Sequence, residues 1–233
     1  MSQSFSLLDS LAVADLQTYL SRAARVEEGS VRLIGASGVL AVYTAILYPR
    51  GLLDRTPTVL GLRTFAIEHA EPFDAVVPIR SLLDRLARLA ESLAAAEAGA
   101  GGAAEGPVEV RMPLEVSTVT WAGISPPRGG WRPVGETTFE LLASTAGTGI
   151  AEVAEAVPTG TGEQLVQRVR AEVWGRPIDG LEYVPAGAAF AAESLGFLSP
   201  DEPVAILETG TWTRLTTRRG HTLIRRQAWS LRG

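Results

Sequence analysis

The chain has 233 residues, of which 46% are hydrophobic and 20% charged, and its net charge is −5. This balance is typical of a folded, soluble protein and excludes a disordered one. All 21 basic residues are arginine and there is no cysteine, which excludes a lysine Schiff base, a GxxxxGK[ST] phosphate loop, a thiol nucleophile and a zinc finger. The two histidines, His69 and His221, match no zinc-binding spacing, so we expect neither a metal nor a cofactor.

The chain contains no apolar run near the roughly 18 to 20 residues that cross a bilayer. Its N-terminal residues lack a basic segment and carry Asp9 and Asp15 among apolar residues, unlike a signal peptide. We therefore expect a cytoplasmic protein with no membrane partner.

Residues 1–97 are predicted to form an N-terminal α+β unit. Asp9 or Ser10 can cap a first helix that runs to about Arg25. Segments rich in β-branched and aromatic residues then predict a small antiparallel sheet, with a hairpin turn at Ser37-Gly38. These segments are 30–36, 38–48, 58–68 and 73–79.

The leucines of segment 79–98 recur at helical spacing and predict an amphipathic helix. Asp84 and Arg88 are four residues apart and can form an ion pair on its polar face. The leucine stripe fits packing against the preceding sheet, or a seam with a partner helix. Residues 98–106 contain only Gly, Ala and Glu, which predicts a flexible linker.

Residues 107–233 are predicted to form a C-terminal unit of three helices followed by a β-meander. An extended segment and a turn-rich loop precede a long helix that starts at Glu136. Thr161 and Gln164 have capping-box spacing for a second helix ending at Trp174. Pro185 opens a third helix that is apolar almost all round and therefore buried.

The meander is predicted over residues 203–227, with turns at Thr209-Gly210 and Arg219-Gly220. If both loops have two residues, one face gathers core side chains and the other is basic. On that register Arg214 and Arg225 lie directly opposite each other, and such like-charged pairs are destabilising without an anion over them. The residues that could bind a partner or a polyanion are Trp212, Arg214, Arg218, Arg219, His221, Arg225 and Arg226.

Charge is unevenly distributed along the chain. Residues 209–233 carry six arginines and no acid, whereas the rest carries 15 arginines and 26 acids. The basic ribbon can therefore lie against carboxylates of its own chain or of a second copy. It can also bind phosphates, with Trp212 stacking on a nucleotide base.

The loop around residues 121–132 combines tryptophans and arginines, residue types that are enriched at binding hot spots. It is a possible partner loop, or its indoles fill the gap between the two halves. Its candidate residues are Trp121, Arg128, Trp131 and Arg132.

These patterns favour a non-catalytic, self-associating interaction protein, since no catalytic residues can be assigned. The partner would be a second copy or another protein. One alternative is binding of nucleic acid or a nucleotide through the C-terminal arginines. Another is a carboxylate- or histidine-dependent enzyme using His69 beside Glu68 and Glu71, or Tyr183.

Overall fold

The computed structural model describes residues 3–51, 53–68, 71–100, 106–117, 119–158 and 160–225, with backbone alone at 96–100. The helices are α1 Ser10–Val26, α2 Ile79–Ala100, α3 Phe139–Ala156, α4 Glu163–Gly175 and α5 Ala186–Ser194. The strands are β1 Ser4–Leu7, β2 Ser30–Ala36, β3 Val39–Leu47, β4 Thr58–Ala66, β5 Phe73–Pro78, β6 Val108–Arg111, β7 Arg132–Thr137, β8 Pro177–Ile178, β9 Leu181–Pro185, β10 Val204–Thr209, β11 Trp212–Thr216 and β12 His221–Arg225. Among the described helices, none is long and apolar enough to span a membrane.

The chain is an α+β protein that divides into two compact units. Unit 1 comprises Met1–Thr44 and Leu62–Ala122, and unit 2 comprises Ala45–Gly61 and Gly123–Gly233. Within the described residues, one sheet has eight strands in the order β5-β2-β3-β4-β12-β11-β10-β7. Strands β3 and β4 therefore contribute residues to both units, so the predicted small N-terminal sheet and the predicted C-terminal meander are parts of one sheet.

The N-terminal helix is confirmed as α1. Asp9 caps it, since its carboxylate accepts a hydrogen bond from the Ala12 N–H at 2.7 Å. The face that carries Leu16 and Leu20 is fully buried in unit 1. Periodicity and capping chemistry together placed this helix, because both are local properties of the sequence.

The hairpin between β2 and β3 is also confirmed. Ala36 pairs with Val39, which leaves Ser37 and Gly38 as a two-residue loop. Both loop residues have positive φ, at 53° and 77°, as a type I′ turn requires.

Helix α2 buries Leu82 and Leu86 completely, as the leucine stripe predicted. The helix packs against α1 as well as against β5 and β6, all within unit 1. It continues to Ala100, and thus takes in the first three residues of the predicted linker. Residues 101–105 of that segment lie outside the described residues.

The start of the C-terminal helical segment differs from the prediction. Glu136 belongs to strand β7, and the helix begins at Phe139 after Thr138, whose hydroxyl accepts from the Leu141 N–H at 3.2 Å. Strand β7 was missed because Pro133 and Gly135 in the sequence favour a turn. Both are tolerated because β7 is an edge strand with a bulge in its pairing to β10.

The capping box predicted at Thr161 and Gln164 is wrong. Helix α4 has Gly162 as its N-cap without a side-chain cap. The Thr161 hydroxyl instead donates to the Pro158 carbonyl oxygen at 2.6 Å. Because Gly162 rather than Thr161 occupies the N-cap position, Thr161 and Gln164 are not placed as a capping box on this helix.

Helix α5 is buried on nearly every side, as its composition predicted. Its alanines and Gly187 allow close approach by neighbouring elements, and it contacts α3, α4 and β12. A short hairpin of β8 and β9, which the sequence did not predict, joins α4 to α5. Helix α5 thus packs against strand β12 of the meander.

Candidate functional site

Cross-strand pairing in the meander β10–β12 defines two faces. Cross-strand pairing places Ile206, Leu215 and Thr222 in one row of the first face, and all three are buried. We call the opposite face the basic face. It carries Leu207, Trp212, Arg214, Thr216, His221, Leu223 and Arg225.

The predicted side-chain alternation agrees with this register, but the predicted pairing of Arg214 with Arg225 is wrong. Arg214 pairs with Leu207 and Leu223, and Arg225 pairs with Trp212. The reason is the second loop, which has four residues between Thr216 and His221 rather than two. Two extra residues preserve the faces, since the side-chain period is two, and change only the partners.

Arg214 stacks on an aromatic ring and is not paired with a carboxylate. Its guanidinium carbon lies 4.6 Å from the centre of the Trp131 ring, within cation–π range. Its Nε is buried without a hydrogen-bond partner in the described part of the chain. Burial lowers the pKa of Arg214, although an arginine keeps its charge. The buried Nε is out of reach of an anion in solution, so an anion would have to approach Arg214 through the rest of its half-buried guanidinium.

His221 lies on the same face and interacts electrostatically with Arg214. Its Nδ1 is 3.2 Å from the Thr216 hydroxyl. Burial, reinforced by the charge of Arg214, lowers the pKa of His221 to about 4. The imidazole is therefore neutral near pH 7, and it does not repel Arg214.

The loop between β11 and β12 presents Arg218 and Arg219 to solvent. Glu202 accepts a hydrogen bond from the backbone N–H of Arg218 at 2.7 Å, and its carboxylate is 4.0 Å from the Arg218 Nε. One carboxylate of the same unit therefore lies near this loop. The Arg218 side chain is 91% exposed, so a salt bridge at that distance adds little stability.

The remaining predicted ribbon residues differ in their accessibility. Trp212 is only 6% exposed, so its ring is not presented for stacking in this structure. Arg225 is exposed on the basic face. Arg226 lies outside the described residues.

The predicted partner loop does not form one cluster. Trp121 is buried in unit 1, within the 3₁₀ helix Thr120–Gly123. Trp131 belongs to unit 2, where its indole N–H donates to the Pro127 carbonyl oxygen at 3.1 Å. Arg128 and Arg132 are exposed. Trp131 thus contacts Arg214 on the basic face. The two residues are 83 positions apart in sequence, so no local pattern could reveal this contact.

The helices and the meander of unit 2 carry opposite net charge. Helices α3, α4 and α5 contain six glutamates and two arginines, a net charge of −4. Three of these glutamates pair with arginines outside the helices: Glu152 and Glu172 with Arg176, and Glu163 with Arg50. Residues 204–225, which form the meander, contain four arginines and one glutamate, a net charge of +3. Unit 2 therefore contains an acidic helical part and a basic strand part.

The described residues contain no group of three or more side chains suited to hold a metal ion. His69, which could serve an enzymatic role, lies outside the described residues. Tyr183 is 43% exposed on β9.

Two family models match the sequence in separate segments. Residues 1–106 match Domain of unknown function (DUF8010), and residues 126–229 match Domain of unknown function (DUF8185). No curated protein matches the chain significantly in sequence.

Comparison with solved structures reveals a likeness of fold. The DNA polymerase sliding clamp from Caulobacter crescentus is 11% identical with a TM-score of 0.50, over 99% of this chain and 67% of the clamp chain. The Helicobacter pylori beta clamp bound to a DNA ligase peptide is 8% identical with a TM-score of 0.46, over 99% of this chain and 68% of the clamp chain. The fold of this chain resembles that of a sliding clamp.

Proposed function

We propose that this chain is a non-catalytic, cytoplasmic interaction protein that associates with copies of itself. The contact joins the basic face and the β11–β12 loop of one copy to helices α3–α5 of another. The observation that carries this proposal is the charge segregation within unit 2, −4 on the helices and +3 on the meander.

Several of the charges required are available for such a contact. Arg219 and Arg225 are exposed and have no ion pair within the described residues. Glu140 and Glu155 on α3 are likewise exposed without an ion pair there. Unpaired charges of opposite sign on different elements of one unit favour a head-to-tail contact, in which two different surfaces meet.

The first experiment measures mass by sedimentation velocity at about 50 mM and about 500 mM NaCl, where charge screening differs severalfold. We expect the wild type to associate at low salt and to dissociate at high salt. Arg219→Glu/Arg225→Glu should weaken association at low salt by tenfold or more, equivalent to about 1.4 kcal/mol. A matched control is Arg25→Glu/Arg111→Glu, which makes the same charge change on exposed residues of unit 1.

A mixing experiment then identifies the two surfaces. Glu140→Arg/Glu155→Arg reverses the charge of the helical side and should also weaken self-association. Mixed with Arg219→Glu/Arg225→Glu, each variant still has one native surface, and the native surfaces complement each other. We therefore expect the two variants to form complexes with each other. These complexes should stay small, because each variant has only one native surface with which to bind. A wild type that is monomeric at both salt concentrations would overturn the proposal.

Polyanion binding is a second candidate function, which one observation favours. Arg214, whose half-buried guanidinium stacks on the Trp131 ring, and the exposed Arg225 lie on the same face, and arginine guanidinium groups suit a phosphate. The fold likeness to a DNA polymerase sliding clamp makes DNA one of the anions to test.

Fluorescence anisotropy with labelled single- and double-stranded oligonucleotides tests this function. We expect binding that weakens steeply with salt and is reduced in Arg214→Gln/Arg225→Gln but kept in Arg25→Gln/Arg168→Gln. Equal binding by both variants would assign any affinity to overall charge rather than to the basic face. No binding by folded wild type would leave self-association as the function.

A further inference from the structure

A groove runs between helix α2 and strand β6 in unit 1, on residues that neither the basic face nor the partner loop includes. Its volume is about 420 Å³, within the range of small-molecule sites. Arg85, Arg88, Leu89 and Ser92 line it from α2, and Val110 and Arg111 line it from β6.

The helix side of the groove follows from helical periodicity. Positions 85, 88, 89 and 92 are spaced by three and four residues, so they form one stripe along α2. The stripe lies beside the buried Leu82 and Leu86, which fix the helix to the core. The arginines are therefore held along the groove by a well-packed helix.

The three arginines of the groove have no ion pair within the described residues. The Asp84–Arg88 pair expected from spacing does not form there within 4 Å. By contrast, other arginines of unit 1 do pair: Arg32 with Asp74, Arg63 with Asp15, and Arg80 with Glu28. With Glu109, which also lines the cavity, the lining has a net charge of +2, which favours an anion.

The rest of the lining indicates what kind of anion fits. Leu89 provides a short apolar wall beside the charges, whereas the Val110 side chain is 1% exposed and lies on the other face of β6 from Glu109 and Arg111. Glu109 also lines the groove, and as a carboxylate it accepts hydrogen bonds from a ligand that carries donors. Arginine forks match phosphate oxygens in pairs. Inorganic phosphate would leave both the apolar wall and the carboxylate unused.

We propose that the α2–β6 groove is a binding site for a nucleoside diphosphate. The diphosphate is held by Arg85, Arg88 and Arg111, the base rests on Leu89, and Glu109 accepts a hydrogen bond from the sugar or base. The site is in unit 1 and does not depend on the self-association proposed for unit 2.

Isothermal titration of the full-length protein with ADP, pyrophosphate and inorganic phosphate tests the site. We expect saturable ADP binding with a Kd below about 1 mM, and weaker binding of the two inorganic anions. Arg88→Gln/Arg111→Gln should weaken ADP binding at least tenfold, the result of losing two charge-assisted hydrogen bonds. Both residues are exposed, so the fold should be retained, and circular dichroism checks this.

Arg25→Gln/Arg168→Gln is the matched control, since it removes the same charge from exposed residues outside the groove. It should bind ADP within twofold of the wild type. Absence of ADP binding, or equal binding by the groove variant, would overturn the proposal. Pyrophosphate binding as tight as that of ADP would overturn the nucleoside part, and tighter binding of an oligo-glutamate peptide than of ADP would assign the groove to an acidic protein segment.

Discussion

His221 has a neutral, partly buried imidazole ring next to the fixed positive charge of Arg214. Its pKa is lowered to about 4 by burial and then by Arg214, whereas an unfolded histidine has a pKa of about 6.5. As pH falls through this interval, the unfolded state binds the proton and the folded state does not. Stability is therefore full above about pH 6.5 and is lost as pH falls toward 4.

The lowered pKa of His221 predicts a pH-dependent loss of stability. Between pH 7 and pH 5 the free energy of unfolding should fall by at most about 2 kcal/mol on account of this residue. Urea denaturation at both pH values measures the loss, and His221→Gln should remove that part of it. The contribution of His69 cancels in the comparison. An identical pH dependence in the variant would contradict the lowered pKa.

The same residues illustrate what alternation in a strand can reveal. The period of two placed Arg214 and His221 on the basic face without any structure, because side chains alternate along a strand. It could not give their neighbours, because cross-strand partners depend on loop length. The period of two also could not reveal the stacking of Arg214 on the Trp131 ring, because that contact depends on the tertiary fold.

At the scale of elements, helix α3 shows how glycines act within a helix. Gly149 is buried against Trp174 of α4, and a Cβ there would overlap the indole ring. Gly147, two residues earlier in the same helix, is exposed with open space around its Cα. Gly149, but not Gly147, is needed for α3 and α4 to approach each other closely.

This contrast predicts opposite effects for one substitution. Gly147→Ala should raise the free energy of unfolding by about 0.5–1 kcal/mol, since alanine is the better helix former. Gly149→Ala should lower it by about 1–3 kcal/mol, because overpacking displaces Trp174. Chemical denaturation measures both. Stabilisation by Gly149→Ala would mean that the α3–α4 contact tolerates a methyl group.

Elements set by local chemistry were predictable. Asp9 capping of α1, the Ser37-Gly38 turn and the leucine stripe of α2 all follow from neighbouring residues. Strand β7 was not, because Pro133 and Gly135 are acceptable in a strand only at a sheet edge with a bulge. The position of a strand in its sheet is a property of the whole fold.

At the scale of the whole molecule, the two compact units are not continuous in sequence. Residues 45–61 belong to unit 2 although they lie in the N-terminal half. Within unit 2, the Leu47 side chain lies close to Gly187 of α5, and Pro57 lies close to Gly175 of α4. Strand β12 also neighbours β4 in the sheet. The predicted division at residues 98–106 stays a prediction about independent folding.

The discontinuity predicts the behaviour of a fragment comprising residues 107–233. Without residues 45–61 it lacks the strand beside β12 and the apolar contacts of Leu47, so we expect no cooperative unfolding. All five tryptophans lie in this fragment, so fluorescence during urea titration reports on it directly. The full-length protein is the reference and should unfold cooperatively. A sigmoidal transition in the isolated fragment would show that it folds independently.

The sequence by itself determined the α+β class, the approximate places of the main helices and strands, the alternation of faces in the meander and the concentration of arginine at its end. These depend on periodicity, capping and composition, which act over a few residues. Only the tertiary structure decided the eight-strand order, the partners of Arg214, the grouping of helices α3–α5 and the meander in one unit, and the arginine groove between α2 and β6. Each of these brings together residues far apart in sequence, and burial and pairing between such residues are fixed only when the chain is folded.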